Sequence, residues 1–346
     1  MREVINEIEG WLISGKPVAI ATNVRKEGST LRPLGAKMAM NPSNQIAGSV
    51  TGGCIEAAVY EEAQEVIATK NPTLLHYSST NEETPFDIGL SCGGMLDVLI
   101  ESLDSEGWQK IFPALEACLK QNEFVSMITI ISSANLGEKM LVWFDGRRLG
   151  SLGNINLDYE AAALAQVQMH KNQPGWFKLG KVEVFIDVLP PAARLIVIGA
   201  VHISIPLVSM AKTLGFRTIV VDSRKTFANL ERFPHADELI IEWPVDALKK
   251  LLPDENTYIV ALSHDEKIDN PALAVALSGP ARYVGVLGAK KNVPKRVKAL
   301  RELNITEKQI NRLHAPVGLD LGASSMEEIA LSILAEIVAE KHSAEK

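Results

Sequence analysis

Cysteine is scarce in this chain: three residues, Cys54, Cys92 and Cys118, among 346. Three thiols cannot build a disulfide framework, so a reducing compartment is the expected setting. A surplus of positive charge is also missing. The formal net charge is −7, which argues against nucleic acid or a membrane surface as a general partner. No uninterrupted apolar run approaches the length of a membrane helix. The opening residues, Met1-Arg-Glu-Val-Ile-Asn-Glu7, place acids where a signal peptide needs basic and then apolar residues. These absences together predict a cytoplasmic protein.

What remains is an ordinary globular composition, 47% hydrophobic and 22% charged. At 346 residues the chain exceeds one ordinary core and suggests two domains. The cysteines are not placed at random. Cys54 lies in Gly52-Gly-Cys-Ile-Glu56 and Cys92 in Ser91-Cys-Gly-Gly94. Paired glycines let backbone approach a ligand while a soft sulfur points at it. A thiolate at a helix start also gains from the helix dipole. The competing reading is that both cysteines are small buried hydrophobes.

The first half repeats itself. Pro17–Val24 and Phe124–Ile131 both read as buried strands followed by a turn-rich stretch and a further strand. A Gly-Ser turn, a loop and an alanine-rich helix then follow at Gly48 and again at Gly150. Each half closes on an alternating strand, Met95–Glu101 and Val182–Asp187. Residues 1–189 are therefore expected to form a duplicated α/β domain. The second copy carries Asn154 and Asn156 in its loop and no cysteine, which assigns the chemistry to the first.

Pro190-Pro191 marks a boundary, since adjacent prolines stiffen a connector and cannot join a central strand. Beyond it, over residues 192–346, apolar runs alternate with helical stretches, the pattern of a Rossmann-like parallel sheet. Predicted strands are Arg194–Ile198, Thr218–Val221, Glu238–Ile241, Tyr258–Leu262 and Tyr283–Leu287, with a first crossover helix over Ile205–Leu214. Asp222 stands 23 residues after Gly199, near the spacing at which an acid meets a ribose hydroxyl. The turn itself, Gly199-Ala-Val-His-Ile-Ser204, keeps only the first glycine of a dinucleotide fingerprint. Ligands of such sheets lie beyond the strand ends, where His202, Asp222, Arg224, His264 and Gly288-Ala-Lys-Lys291 are expected to converge. Lys290, Lys291, Lys295 and Arg296 cluster at a helix start near Pro294 and suit an anion, or else form a solvated basic face. Ser325-Met-Glu-Glu328 reads as a capping box for the final helix.

Four stretches resemble the XdhC/CoxI family, accessory factors of xanthine dehydrogenase and related molybdenum hydroxylases. They are Glu27-Gly-Ser-Thr-Leu-Arg-Pro-Leu-Gly-Ala-Lys-Met38, Gly48-Ser-Val-Thr-Gly-Gly-Cys-Ile-Glu56, Ser91-Cys-Gly-Gly94 and Leu313-His-Ala-Pro-Val-Gly-Leu-Asp-Leu-Gly-Ala323. The resemblance implies a chaperone, not an enzyme. Such a protein holds molybdopterin cofactor or its cytosine dinucleotide form and assists its sulfuration with a cysteine desulfurase. It then delivers the cofactor to the apo-hydroxylase, and a homodimer is expected. By the same resemblance Cys54 and Cys92 face the metal or receive sulfur, Glu56 accepts a proton, and Arg32 and Lys37 hold phosphate. The glycines Gly52, Gly53, Gly93 and Gly94 wall the pocket. Gly199, His202, Asp222, His264, Lys290 and Lys291 hold the nucleotide or pterin end. The rival expectation is an NAD(P)-dependent oxidoreductase built on the second half.

Overall fold

Antiparallel strand pairing in the first half and parallel pairing in the second follow from how the strands are connected. Helices carry the chain over the sheet between most neighbouring strands of the second half, as parallel pairing requires. The computed structural model describes residues 1–28, 32–78, 94–132 and 135–343. Cys92 and Gly93 lie outside the described residues. The chain divides into two units, Met1–Pro191 and Ala192–Lys346.

The first unit runs α1 (Ile5–Ile13), β1 (Ala19–Glu27), β2 (Lys37–Met40), β3 (Ile46–Gly48), α2 (Glu56–Thr69), β4 (Thr73–Ser78), β5 (Met95–Ser102) and α3 (Glu106–Lys120). It continues with β6 (Val125–Ile130), β7 (Lys139–Trp143), β8 (Arg148–Gly150), α4 (Ile155–Lys171), β9 (Gly175–Leu179) and β10 (Val182–Leu189). Its two five-stranded sheets have the orders β3-β2-β1-β5-β4 and β8-β7-β6-β10-β9. These are the same order twice, and every pairing is antiparallel. Helix α2 packs Val59, Ala63 and Val66 on the first sheet, and α4 packs Ala161, Ala165 and Met169 on the second. Trp11, Ile20, Trp108 and Met127 share one core that draws on α1, α3 and both sheets. Gly48 and Gly150, at φ +73° and +89°, end matching strands. A Cβ on either would press on the carbonyl oxygen of Lys37 or Lys139, so only glycine fits.

Strand register carries the repeat down to single side chains. Lys37 stands opposite Thr22 and Lys139 opposite Thr129. Glu101 stands opposite Ile20, and Asp187 opposite Met127. The two lysines are thus equivalent, as are the two acids. Each lysine reaches into the other half: Lys37 Nζ lies 2.5 Å from Asp187 Oδ2 and Lys139 Nζ 2.7 Å from Glu101 Oε2. All four side chains are at most 5% exposed. Burial pulls the Lys139 ammonium below its ordinary pKa, and the Glu101 carboxylate opposes that shift.

The second unit runs β11 (Arg194–Ile198), α5 (Ser204–Thr213), β12 (Arg217–Val221), β13 (Glu238–Ile240), α6 (Pro244–Leu251), β14 (Thr257–Ala261) and α7 (Glu266–Ser278). After β15 (Tyr283–Val286) come α8 (Val293–Glu302), α9 (Glu307–Ile310), β16 (Leu313–His314) and α10 (Met326–Ser343). The six strands lie in the order β13-β12-β11-β14-β15-β16 and are all parallel. The predicted strands sit within a residue of the observed ones. Strand β16 is an addition to them; it comes from the apolar loop motif. The capping box forms, with Glu328 N–H donating to Ser325 Oγ at 3.1 Å and Ser325 N–H to Glu328 Oε2 at 3.0 Å.

Removing one member of a buried pair strands the other charge at a cost of about 3–5 kcal/mol. Lys37→Met is therefore expected to destabilise the first unit by about that amount in urea unfolding. Lys37→Met combined with Asp187→Leu should recover most of the loss.

Candidate functional site

The loop between β3 and α2 is organised by one carboxylate. Glu56, the first residue of α2, turns back and accepts from the Ser49 hydroxyl at 2.7 Å and the Thr51 hydroxyl at 2.6 Å. The backbone N–H groups of Thr51, Gly52 and Gly53 also donate to it, at 2.8–2.9 Å. Burial alone would raise the Glu56 pKa. The hydroxyls of Thr51 and Ser49 and the amides of Thr51 and Gly52 outweigh it and hold the carboxyl far below its usual value of 4.5. Glu56 thus stays ionised and its oxygens are committed, which withdraws it as a proton acceptor. The same bonds withdraw Gly52 and Gly53 as a nest of anion-binding amides.

Cys54 is the side chain this arrangement presents. It is a half-buried thiol that packs against the apolar cluster holding Tyr60 and Tyr77. Its own N–H donates to Thr51 Oγ1 at 3.3 Å. Burial pushes the Tyr77 phenol, on the same cluster, up to about 12, with Glu62 and Glu56 adding to the shift, so this hydroxyl keeps its proton. Arg32 belongs to the same place: Nε donates to the Ser49 carbonyl at 3.2 Å and Nη2 pairs with Glu3 at 2.6 Å. Lys37 does not belong to it. Fully buried and bonded to Asp187 and the Gly35 carbonyl, it cannot meet a phosphate. Gly94 is buried just before β5.

The second half builds the same loop with less. Asp158, the counterpart of Glu56, accepts from the Ser151 hydroxyl at 2.8 Å and Leu152 N–H at 2.7 Å. A serine followed by an acid seven residues on, at Ser49/Glu56 and Ser151/Asp158, is the sequence signal for this loop. The more conspicuous glycines and cysteine obscure it, and no local pattern marks Tyr77 as packing on the same cluster as Cys54.

In the second unit the expected crevice separates into distinct places. Gly199, at φ +99°, lies so close to Ser263 that a Cβ would come within 2.8 Å of its amide nitrogen. The Ala200 N–H donates to Asp222 Oδ2 at 2.8 Å, and Arg224 grips both Asp222 oxygens. Burial works against ionisation of Asp222, but Arg224 and the amides of Arg224 and Ala200 lower its pKa. An acid so engaged has no oxygen left for a ribose, and the Ala200 amide is spent on it. The Asp222 carboxylate expected to meet a ribose is thus already engaged within its own turn. His202 is exposed on the turn. His264 instead lines an open cleft of about 80 Å³ at the ends of β14 and β15, with Gly288, Ala289 and Arg296. Lys290 is exposed and pairs with Asp320 at 3.2 Å, and Lys291 is exposed, so neither lines that cleft. Among the described residues no group of three or more His, Cys, Asp or Glu could hold a metal. No helix among them is long and apolar enough to cross a membrane.

The family model described as XdhC and CoxI family matches residues 11–78, and that of the XdhC Rossmann domain matches residues 195–337. The chain belongs to the XdhC/CoxI family. A Bacillus subtilis (strain 168) relative, named as a probable xanthine dehydrogenase component, is 26% identical over 96% of this chain and 95% of its own. The molybdenum cofactor insertion chaperone PaoD of Escherichia coli (strain K12) is 26% identical over 94% of this chain and 84% of its own. A crystal structure from Bacillus halodurans, described as a xanthine dehydrogenase, aligns with a TM-score of 0.79 at 26% identity, covering 98% of this chain and 96% of that one. Within the XdhC/CoxI frame the Cys54 loop lies in the region matched by the first model, and the cleft in that matched by the second.

Because the folded pKa of Glu56 is depressed, its contribution is complete above about pH 4.5 and is lost as pH falls further. Glu56→Gln should therefore lower stability at pH 7 by about 1–3 kcal/mol, and the gap to wild type should close in acid unfolding titrations. In a Cys92→Ala background, Ellman's reagent should modify Cys54 in the native protein and spare Cys118, which is buried with its thiol pKa raised.

Proposed function

We propose that this protein is a carrier for the molybdenum cofactor. It receives the cofactor as cargo, shields it, assists exchange of a molybdenum oxo ligand for sulfur, and delivers it to a xanthine dehydrogenase-type hydroxylase. A cysteine desulfurase as sulfur donor and a homodimeric carrier belong to the same proposal. The observation that carries it is Cys54, a half-buried thiol on a glycine loop held rigid by Glu56. Molybdenum favours sulfur donors, and a preset loop loses little entropy on binding. The names of the relatives, a molybdenum cofactor insertion chaperone and a probable xanthine dehydrogenase component, point the same way.

The residues present divide the work differently from the pattern the resemblance implies. Glu56 fixes the loop and moves no proton. Arg32 is the cation beside the loop, and an incoming phosphate competes with Glu3 for its guanidinium. The molybdopterin and cytosine dinucleotide forms make the same demands on Cys54 and Arg32. Against an NAD(P)-dependent oxidoreductase stands the engagement of Ala200 N–H by Asp222.

Purified protein mixed with molybdenum cofactor is expected to retain molybdenum and pterin through gel filtration. Cys54→Ala should reduce that retention several-fold, and Arg32→Gln should weaken it. Wild-type protein that elutes free of both would sink the carrier reading.

A further inference from the structure

The cleft beyond β14 and β15 has a chemistry that the Cys54 loop does not explain. Arg296 reaches it from α8 with its side chain only 11% exposed. Its Nη1 is fixed by Asn270 Oδ1 at 2.9 Å, while Nε and Nη2 make no hydrogen bond to any described residue. A guanidinium keeps its charge at any physiological pH, so two charged donors stand uncommitted at the cleft. Behind them lies Asp269, fully buried, with Oδ1 taken by the Ser263 hydroxyl at 2.6 Å. Its Oδ2, 3.9 Å from Arg296 Nη1, has no hydrogen-bond partner among the described residues. Burial raises the Asp269 pKa, and the Ser263 hydroxyl and the Arg296 charge oppose that shift.

Backbone adds to the site. Gly288 and Ala289 line the cleft, and their amides have no hydrogen-bond partner among the described residues. Asn292 gives α8 no side-chain cap, and Pro294 occupies its first turn. The positive end of this helix thus opens near the same space. Glu266 also lines the cleft, but Lys295 holds its carboxylate at 2.8 Å. The remaining lining is mixed: Val286, Leu287 and Pro316 are apolar, whereas His264 and Asn292 are polar.

We infer that this cleft binds a phosphoryl group, as a phosphate monoester or diphosphate, with Arg296 as the paired charged donor and the Gly288 and Ala289 amides as the second anchor. Planar two-point recognition of phosphate is what an arginine fork supplies and a lysine does not. The apolar lining takes an uncharged part of the ligand next to the phosphate. Lys290 and Lys291, outside the cleft, steer anions toward it without touching them. The inference rests on second-unit residues alone and stands or falls apart from the Cys54 reading.

Equilibrium dialysis of the full chain against labelled pyrophosphate, at constant ionic strength in chloride, tests it. Saturable binding is expected, weakened at least tenfold by Arg296→Gln and unchanged by Cys54→Ala. Gly288→Val gives a second variant: a Cβ there meets nothing within 4 Å, so the fold is kept while bulk is added at a residue of the cleft lining. It should weaken binding to a similar degree. Cytidine diphosphate forms the other arm. Tighter binding than pyrophosphate identifies a nucleotide as the natural source, and equal binding a bare phosphoryl group. Absence of saturable binding by wild type, or wild-type binding by Gly288→Val, overturns the proposal.

Discussion

Two buried ion pairs exchanged between the halves hold the first unit in register. Lys37 neutralises an acid of the second sheet, and Lys139 neutralises the equivalent acid of the first. Neither sheet can shift against the other without stranding a charge in a medium that solvates it poorly. Such pairs add little net stability compared with apolar packing, but they specify geometry. Reciprocity of this kind is what a two-fold interface between identical copies produces, since each surface patch meets its own image. The two halves of the first unit show that pattern inside one chain.

A frame shared by both halves makes their differences informative. Glu56 has one more methylene than Asp158 and gathers four loop amides, where Asp158 gathers one. The longer carboxylate shapes a glycine loop that carries a thiol. The shorter one closes a loop that carries Asn154 instead. The thiol is thus present in one copy, while both copies keep the same architecture. The second unit shows a parallel economy. Its first turn is sealed by Asp222, and uncommitted donors gather elsewhere along the strand ends around Arg296.

Much of this is legible in the sequence. Apolar runs of five residues between helical stretches announce the parallel sheet, because strands buried on both faces have little choice of residue. The repeat is readable from Gly48-Ser49 and Gly150-Ser151, since positive φ at both positions demands glycine. Cys54 stands out because its glycine neighbours are unusual. Lys37 is misread from sequence because its partner lies 150 residues away, and no local pattern announces such a pairing. Glu56 invites the wrong task because a carboxylate near a thiol suggests proton transfer, whereas the geometry makes it a cap. Asp222 fits the ribose spacing, yet with the later glycines lost its carboxylate is satisfied internally by Ala200. Arg296 is one of several basic residues near Pro294 until the fold separates it from its exposed neighbours.

The central claim is that cofactor is gripped at the Cys54 loop. Mass-spectrometric alkylation rates for each cysteine, measured with and without bound molybdenum cofactor, address it directly. The account predicts that cofactor slows alkylation at Cys54 and leaves Cys118 unchanged. Equal Cys54 rates in the loaded and empty protein would contradict it.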